Sequence, residues 1–222
     1  MGTFIELTAA DGRRFAAWES RPAGKARGGL VVAPEIFGIN GHIRSVADGY
    51  AAEGYLVVAP ALFDRVQRNY ETGYAPADIQ AGVALMQKVR MDDALKDVAA
   101  AAAHAASAGR VAIVGYCWGG TVAWVAAART AGLACAVPYY GGSMPSYAAE
   151  VPACPVLCHF GEEDKSPTPQ QARALLAAHP EVVAHFYEGA GHGFNCDQRP
   201  SYNPQAAQLA RARTLAFLTQ NM

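Results

Sequence analysis
The chain has 222 residues, 52% of them apolar and only 17% charged, a composition that fills one sizeable core and excludes a disordered or low-complexity protein. A formal net charge of −1 with scattered Lys and Arg lacks the basic footprint that attracts phosphate backbones or anionic lipid, so neither nucleic acid nor a membrane is an expected partner. The five cysteines show no CxxC spacing and read as reduced thiols, and Met1 to Thr8 carries no basic leader or apolar stretch, so a cytoplasmic protein without a metal site is predicted.

In chain order, Phe4-Ile-Glu-Leu-Thr and Arg14-Phe-Ala-Ala-Trp flank Asp11-Gly12, a pair suited to the positive φ values of a tight hairpin turn. An antiparallel hairpin is therefore predicted at the start. Leu30-Val-Val-Ala-Pro then reads as a buried strand, followed by a loop and an apolar-periodic helix from His42 to Glu53. Tyr55-Leu-Val-Val-Ala, Val111-Ala-Ile-Val, Cys135-Ala-Val, Pro155 to Phe160 and Val182 to Tyr187 repeat the buried-strand pattern. The intervals leave room for helices, among them Asp92 to Ala106, Thr121 to Ala128 and Pro204 to Leu218. Such alternation predicts a mainly parallel sheet flanked by helices. No composition break divides the chain, so residues 1–222 are expected to form a single domain. The stretch from Phe63 to Pro76 fits no period and reads as a loop shaping a pocket.

The chemistry concentrates where Val111-Ala-Ile-Val runs into Gly115-Tyr-Cys117-Trp-Gly119-Gly120 and then a helix. This is the nucleophile-elbow pattern with cysteine at its centre. A sharp strand-to-helix turn lifts one side chain above the sheet, and the flanking glycines avoid Cβ collisions with neighbouring backbone. The following helix N-terminus favours the thiolate and aims N–H groups at developing negative charge. The other four cysteines lack this framing and read as core or bystander thiols.

A thiol nucleophile needs a base, and His192 in Gly189-Ala-Gly191-His192-Gly193-Phe194 follows the last strand in a glycine-flanked loop that lets the imidazole reach inward. His104, His179 and His185 have structural explanations within helix or strand, while His42 and His159 rank second. The third member falls among Glu162, Glu163 and Asp164, which end the Pro155 to Phe160 strand, with Asp164 favoured. Acyl transfer also needs two oxyanion donors, expected at the N–H groups of Trp118 and Ile36. Glu35 beside them is unexpected, because a carboxylate there opposes that charge. It is either a surface residue or a control on the protonation of Cys117.

Glu35, Gly115-Tyr-Cys117-Trp-Gly-Gly, Gly161-Glu-Glu-Asp164 and Gly191-His192-Gly-Phe together resemble the dienelactone hydrolase (carboxymethylenebutenolidase) family, as do Pro60-Ala-Leu-Phe and Tyr139-Tyr-Gly. The resemblance covers most of the chain. It implies an α/β-hydrolase fold and a cofactor-free triad of Cys117, Asp164 and His192 that opens a small-molecule ester or lactone, in a monomer or small homo-oligomer. It also implies that Glu35 holds the resting thiol until substrate binds. The family carries a substrate-binding arginine in the loop after its histidine, where this chain has Gly193-Phe-Asn195-Cys196. Candidate substrate contacts are Phe37, Tyr140, Phe194 and Arg65, with Arg65 and Arg68 as sources of positive charge or as surface arginines. Other readings are a non-catalytic binding protein on the same fold, an esterase or thioesterase of unrelated substrate class, and a thiol-redox protein, the last disfavoured because no resolving cysteine adjoins Cys117.

Overall fold
A computed structural model describes all 222 residues. Eight strands form a mixed sheet in the order β1-β2-β4-β3-β5-β6-β7-β8. The chain also divides into two compact units, Met1–Ile113 and Val114–Met222, with the division inside β5.

The first unit opens with β1 (Thr3–Thr8) and β2 (Arg14–Ser20), paired antiparallel with Thr8 opposite Arg14. The predicted hairpin is present, but its connection is five residues long rather than a two-residue turn. Of Asp11 and Gly12 only the glycine has positive φ, at 79°. Asp11 instead accepts the Arg13 N–H through its carboxylate at 3.2 Å. β3 (Gly28–Ala33) and β4 (Tyr55–Pro60) are parallel and buried along their whole length, which is why both read as unbroken apolar runs. Between them α1 (Gly41–Ala52) begins at Asn40, whose side chain caps the Ile43 N–H, and it buries Ile43, Ala47, Tyr50 and Ala51 on one face.

Phe63 to Pro76 is partly ordered where a plain loop is predicted. A 3-10 turn spans Leu62–Arg65, and Gly38 bridges Glu71. Next comes α2 (Pro76–Met86), a helix that the periodicity does not announce because only Gly82 and Leu85 are buried. Gly82 has a packing reason: a Cβ there would sit 2.5 Å from the Ile36 carbonyl oxygen. α3 (Met91–Ala105) then lies across β3 and β4.

The second unit contains the rest of β5 (Val111–Tyr116), which runs into α4 (Trp118–Arg129) through Cys117. β6 (Leu133–Tyr139), β7 (Leu157–Gly161) and β8 (Val183–Tyr187) follow, and β8 pairs parallel to β7. α5 (Pro169–Ala177) is a further unannounced helix, opened by a reciprocal cap between Thr168 and Gln171. α6 (Pro204–Asn221) packs on β6 and β7. No helix is long and apolar enough to cross a membrane.

Candidate active site
The elbow has the predicted geometry. Cys117 is the N-cap of α4 with φ 54° and ψ −117°, a left-handed conformation that L-residues rarely hold. Two close approaches explain its glycines. A Cβ on Gly115 would overlap the Gly119 carbonyl, and one on Gly120 would overlap the Tyr139 carbonyl. The same Tyr139 carbonyl accepts the Cys117 N–H at 3.0 Å, so the nucleophile's backbone is fixed to β6.

His192 stands in the loop after β8, half-buried, between two partners. Its Nε2 lies 3.0 Å from Cys117 Sγ, and its Nδ1 lies 3.0 Å from Asp164 Oδ2. Asp164 is 3% exposed, and its other oxygen accepts the Ser166 N–H at 2.8 Å, which sets the carboxylate's rotation. Of its neighbours, Glu162 turns away to Arg173. Burial alone would lower the His192 pKa. The negative charge of Cys117 and the Asp164 hydrogen bond overcome it and push the imidazole up to about 10. A protonated imidazole held between a sulfur and a buried carboxylate is a chain of groups suited to proton transfer during acyl transfer.

Behind this site lies a buried polar hub. His159 is fully buried, with Nδ1 2.8 Å from the Tyr187 hydroxyl and Nε2 3.0 Å from the Thr214 hydroxyl. Thr214 also shares a 2.6 Å hydrogen bond with the Tyr139 hydroxyl. Burial, then the nearby His185 and Arg213, hold His159 well below its ordinary range and therefore neutral. Its own carbonyl accepts the Tyr140 N–H at 2.8 Å.

In the first unit Glu35 is fully buried and accepts a 3.3 Å hydrogen bond from the Tyr74 hydroxyl. The surface reading of Glu35 is thus overturned. Its loop is braced: Asn40 donates to the Tyr74 hydroxyl at 2.9 Å, and the Thr72 N–H donates to the Phe37 carbonyl at 3.1 Å. Ile36 is 6% exposed.

The candidate substrate contacts fare differently. Arg65 is taken up by carboxylates: Nε and Nη2 reach Asp97 at 2.8 Å each, and Nη1 reaches Asp11 at 2.9 Å. It braces the hairpin turn against α3 rather than offering charge to a substrate. Arg68 pairs with Glu6 at 3.2 Å. Phe37, Tyr140 and Phe194 have almost no accessible surface, and Phe37 packs edge-on against Tyr74 at 4.6 Å within the first unit. Tyr140 meets the His192 ring edge-on at 5.2 Å, and Phe194 packs 5.2 Å from both Tyr140 and Tyr187. Arg199, seven residues after His192, lays its guanidinium against Gly193.

The elbow, the glycine-flanked histidine and the buried acid bear directly on ancestry, and a family profile decides it: residues 15–222 match the dienelactone hydrolase family. The chain belongs to that family. Among curated relatives of this dienelactone hydrolase family member, carboxymethylenebutenolidase 1 of Cupriavidus pinatubonensis is 34% identical over 226 residues, covering 96% of this chain and 95% of the relative. The carboxymethylenebutenolidase of Pseudomonas sp. strain P51 is 35% identical over 229 residues, covering 96% and 93%. A Klebsiella pneumoniae crystal structure that carries the dienelactone hydrolase name superposes with a TM-score of 0.82 at 32% identity, covering 98% of this chain and 99% of that one. The chain is therefore a hydrolase of α/β-hydrolase fold.

Proposed function
We propose that this chain opens small carboxylic esters or lactones through an acyl-cysteine intermediate. The observation that carries the reading is His192 bridging Cys117 Sγ and Asp164 Oδ2 at 3.0 Å each. The Cys117 thiolate adds to the acyl carbon while the Trp118 N–H, at the start of α4, faces the developing oxyanion. The tetrahedral adduct collapses with cleavage of the C–O bond, and His192 gives its proton to the leaving alkoxide. Neutral His192 then takes a proton from water, whose oxygen attacks the thioester. Release of the acid returns the thiolate and the imidazolium. Asp164 keeps the imidazole in one orientation throughout. Resemblance to the family gives Ile36 the second oxyanion donor and Glu35 control over the resting thiol. Arg199, packed beside His192's neighbour, is the candidate positive charge for a substrate carboxylate.

The test compares p-nitrophenyl acetate and dienelactone with wild type, Cys117→Ala and His192→Ala under reducing conditions. Each variant should lose about 10³-fold or more in kcat, and intact-mass spectrometry should find the acyl group on Cys117. Undiminished turnover in Cys117→Ala would sink the reading. The ratio of the two substrates tests Arg199: Arg199→Ala should lose dienelactone turnover and spare the uncharged acetate.

A further inference from the structure
Three non-glycine residues hold positive φ: Asn69, Cys117 and Tyr140. Asparagine tolerates that region, whereas a bulky aromatic residue seldom enters it. Tyr140, at φ 37°, directly follows β6 and precedes Gly141 and Gly142. Backbone strain of this kind persists only where the surroundings over-determine it, and it clusters at working sites.

The turn that carries Tyr140 reaches every member of the triad. The Tyr139 carbonyl accepts the Cys117 N–H at 3.0 Å. A Cβ on Gly142 would come within 3.2 Å of the Ser166 carbonyl oxygen, and the Ser166 N–H is the donor that holds Asp164. The Tyr140 ring meets the His192 ring at 5.2 Å and 65°, and meets Phe194 of the same loop at 5.2 Å and 72°. The base of that ring is fixed from behind, because the Tyr140 N–H donates to the His159 carbonyl at 2.8 Å. Tyr140 is fully buried.

His192 has need of such a buttress. It stands between Gly191 and Gly193, the latter at φ 77°, so its own backbone does little to fix the side chain. In the resting site the imidazole is held at both nitrogens, 3.0 Å from Cys117 Sγ and 3.0 Å from Asp164 Oδ2. Acylation of Cys117 removes the first restraint, since a thioester sulfur carries neither proton nor charge. A single bond to Asp164 then allows the ring to pivot, and an aromatic plane packed against it blocks that motion.

We propose that Tyr140 holds the His192 imidazole in place while Cys117 is acylated, which makes it a positioning residue for deacylation. This rests on the acyl-cysteine reading. In that step neutral His192 takes a proton from water at Nε2, the water oxygen adds to the acyl carbon, and the C–S bond breaks to return thiolate and imidazolium. A base that pivots away loses the alignment of water with the acyl carbon. Acylation is spared, because the sulfur itself then holds the imidazole.

Stopped-flow hydrolysis of p-nitrophenyl acetate separates the first burst of nitrophenolate from the steady rate that follows. Tyr140→Leu should acylate within about twofold of wild type and deacylate about tenfold more slowly, so kcat and KM fall together and acyl-Cys117 accumulates in intact-mass spectra. Tyr140→Met takes its place if the leucine variant fails to fold. Tyr140→Phe retains the ring and should restore deacylation. A second measurement needs no turnover. In Cys117→Ala the imidazole keeps only Asp164 and Tyr140, and adding Tyr140→Leu should speed solvent exchange of the Nδ1 proton, read by NMR, about tenfold. The proposal is overturned if both steps slow equally, if stability falls with wild-type rate constants, if Tyr140→Phe is as slow as Tyr140→Leu, or if the Nδ1 exchange rate is unchanged. Absence of any burst in wild type counts against the acyl-cysteine reading itself, and the exchange rate then decides alone whether Tyr140 orients His192.

Discussion

At the scale of single residues, His192 determines how the site responds to pH. Its pKa stands at about 10 because Cys117 and Asp164 both favour the cation against the opposing effect of burial. The raised value means that its contribution to stability is fully present below the unfolded histidine value of about 6.5 and is lost as pH rises through about 10. Hydrolysis of unactivated esters should fall over the same upper limb, since the proton donor for the leaving group disappears. By NMR the imidazole should titrate near 10 in wild type and roughly a unit or more lower in Cys117→Ser, which lacks the anionic sulfur. An unchanged midpoint would show that Asp164 alone sets it. His159 acts one layer further back. Replacing it with Phe keeps the bulk but strands the Tyr187 and Thr214 hydroxyls, and kcat should drop about tenfold with KM nearly constant if the hub positions the triad. A parallel loss of stability with normal kcat per folded molecule would make it structural only. Cys117 and His192 were legible because glycines frame them in sequence. Arg65 was not, because its partners Asp11 and Asp97 lie 54 and 32 positions away.

At the scale of elements, the strands were easier to read than the helices. β3, β4, β5 and β6 are buried throughout, and burial on both faces leaves an unbroken apolar run. α2 buries little and so shows no stripe, although Pro76 at its first turn and Asp78, whose carboxylate accepts the Ala75 N–H at 3.0 Å, were available start signals. α5 carried a fuller one in Thr168-Pro169-Gln-Gln171. The join between the hairpin, the 3-10 turn and α3 rests on Arg65. Burial pushes Asp97 up to about 6 even with Arg65 beside it, so its ionised form is tolerated only through that pairing. Arg65→Ala should therefore cost about 3 kcal/mol at pH 8, the price of an unpaired buried charge, and much less near pH 4, where Asp97 is protonated. Urea titrations at the two pH values check it. Equal losses at both would assign Arg65 to packing.

At the scale of the whole molecule, the strand order was hidden from the sequence. β4 lies between β2 and β3, an arrangement set by crossovers and side-chain fit rather than by any local pattern. A sheet whose fifth strand serves both compact units should melt as one. Far-ultraviolet circular dichroism and tryptophan fluorescence, with Trp18 in one unit and Trp118 and Trp124 in the other, should give coincident urea transitions. Separated midpoints would mean that the units unfold independently. The left-handed backbone at Cys117, φ 54°, implies a conflict between durability and work. A non-glycine residue held there is strained by about 1–3 kcal/mol, and glycine carries no such penalty. Cys117→Gly and Cys117→Ala both lack the sulfur and should both be dead as catalysts, and the glycine variant should melt at the higher temperature because only alanine carries the strain. Selection for robustness alone would have put glycine at the elbow, and the strained cysteine that stands there marks how much toughness this molecule gives up to keep a reactive sulfur in place.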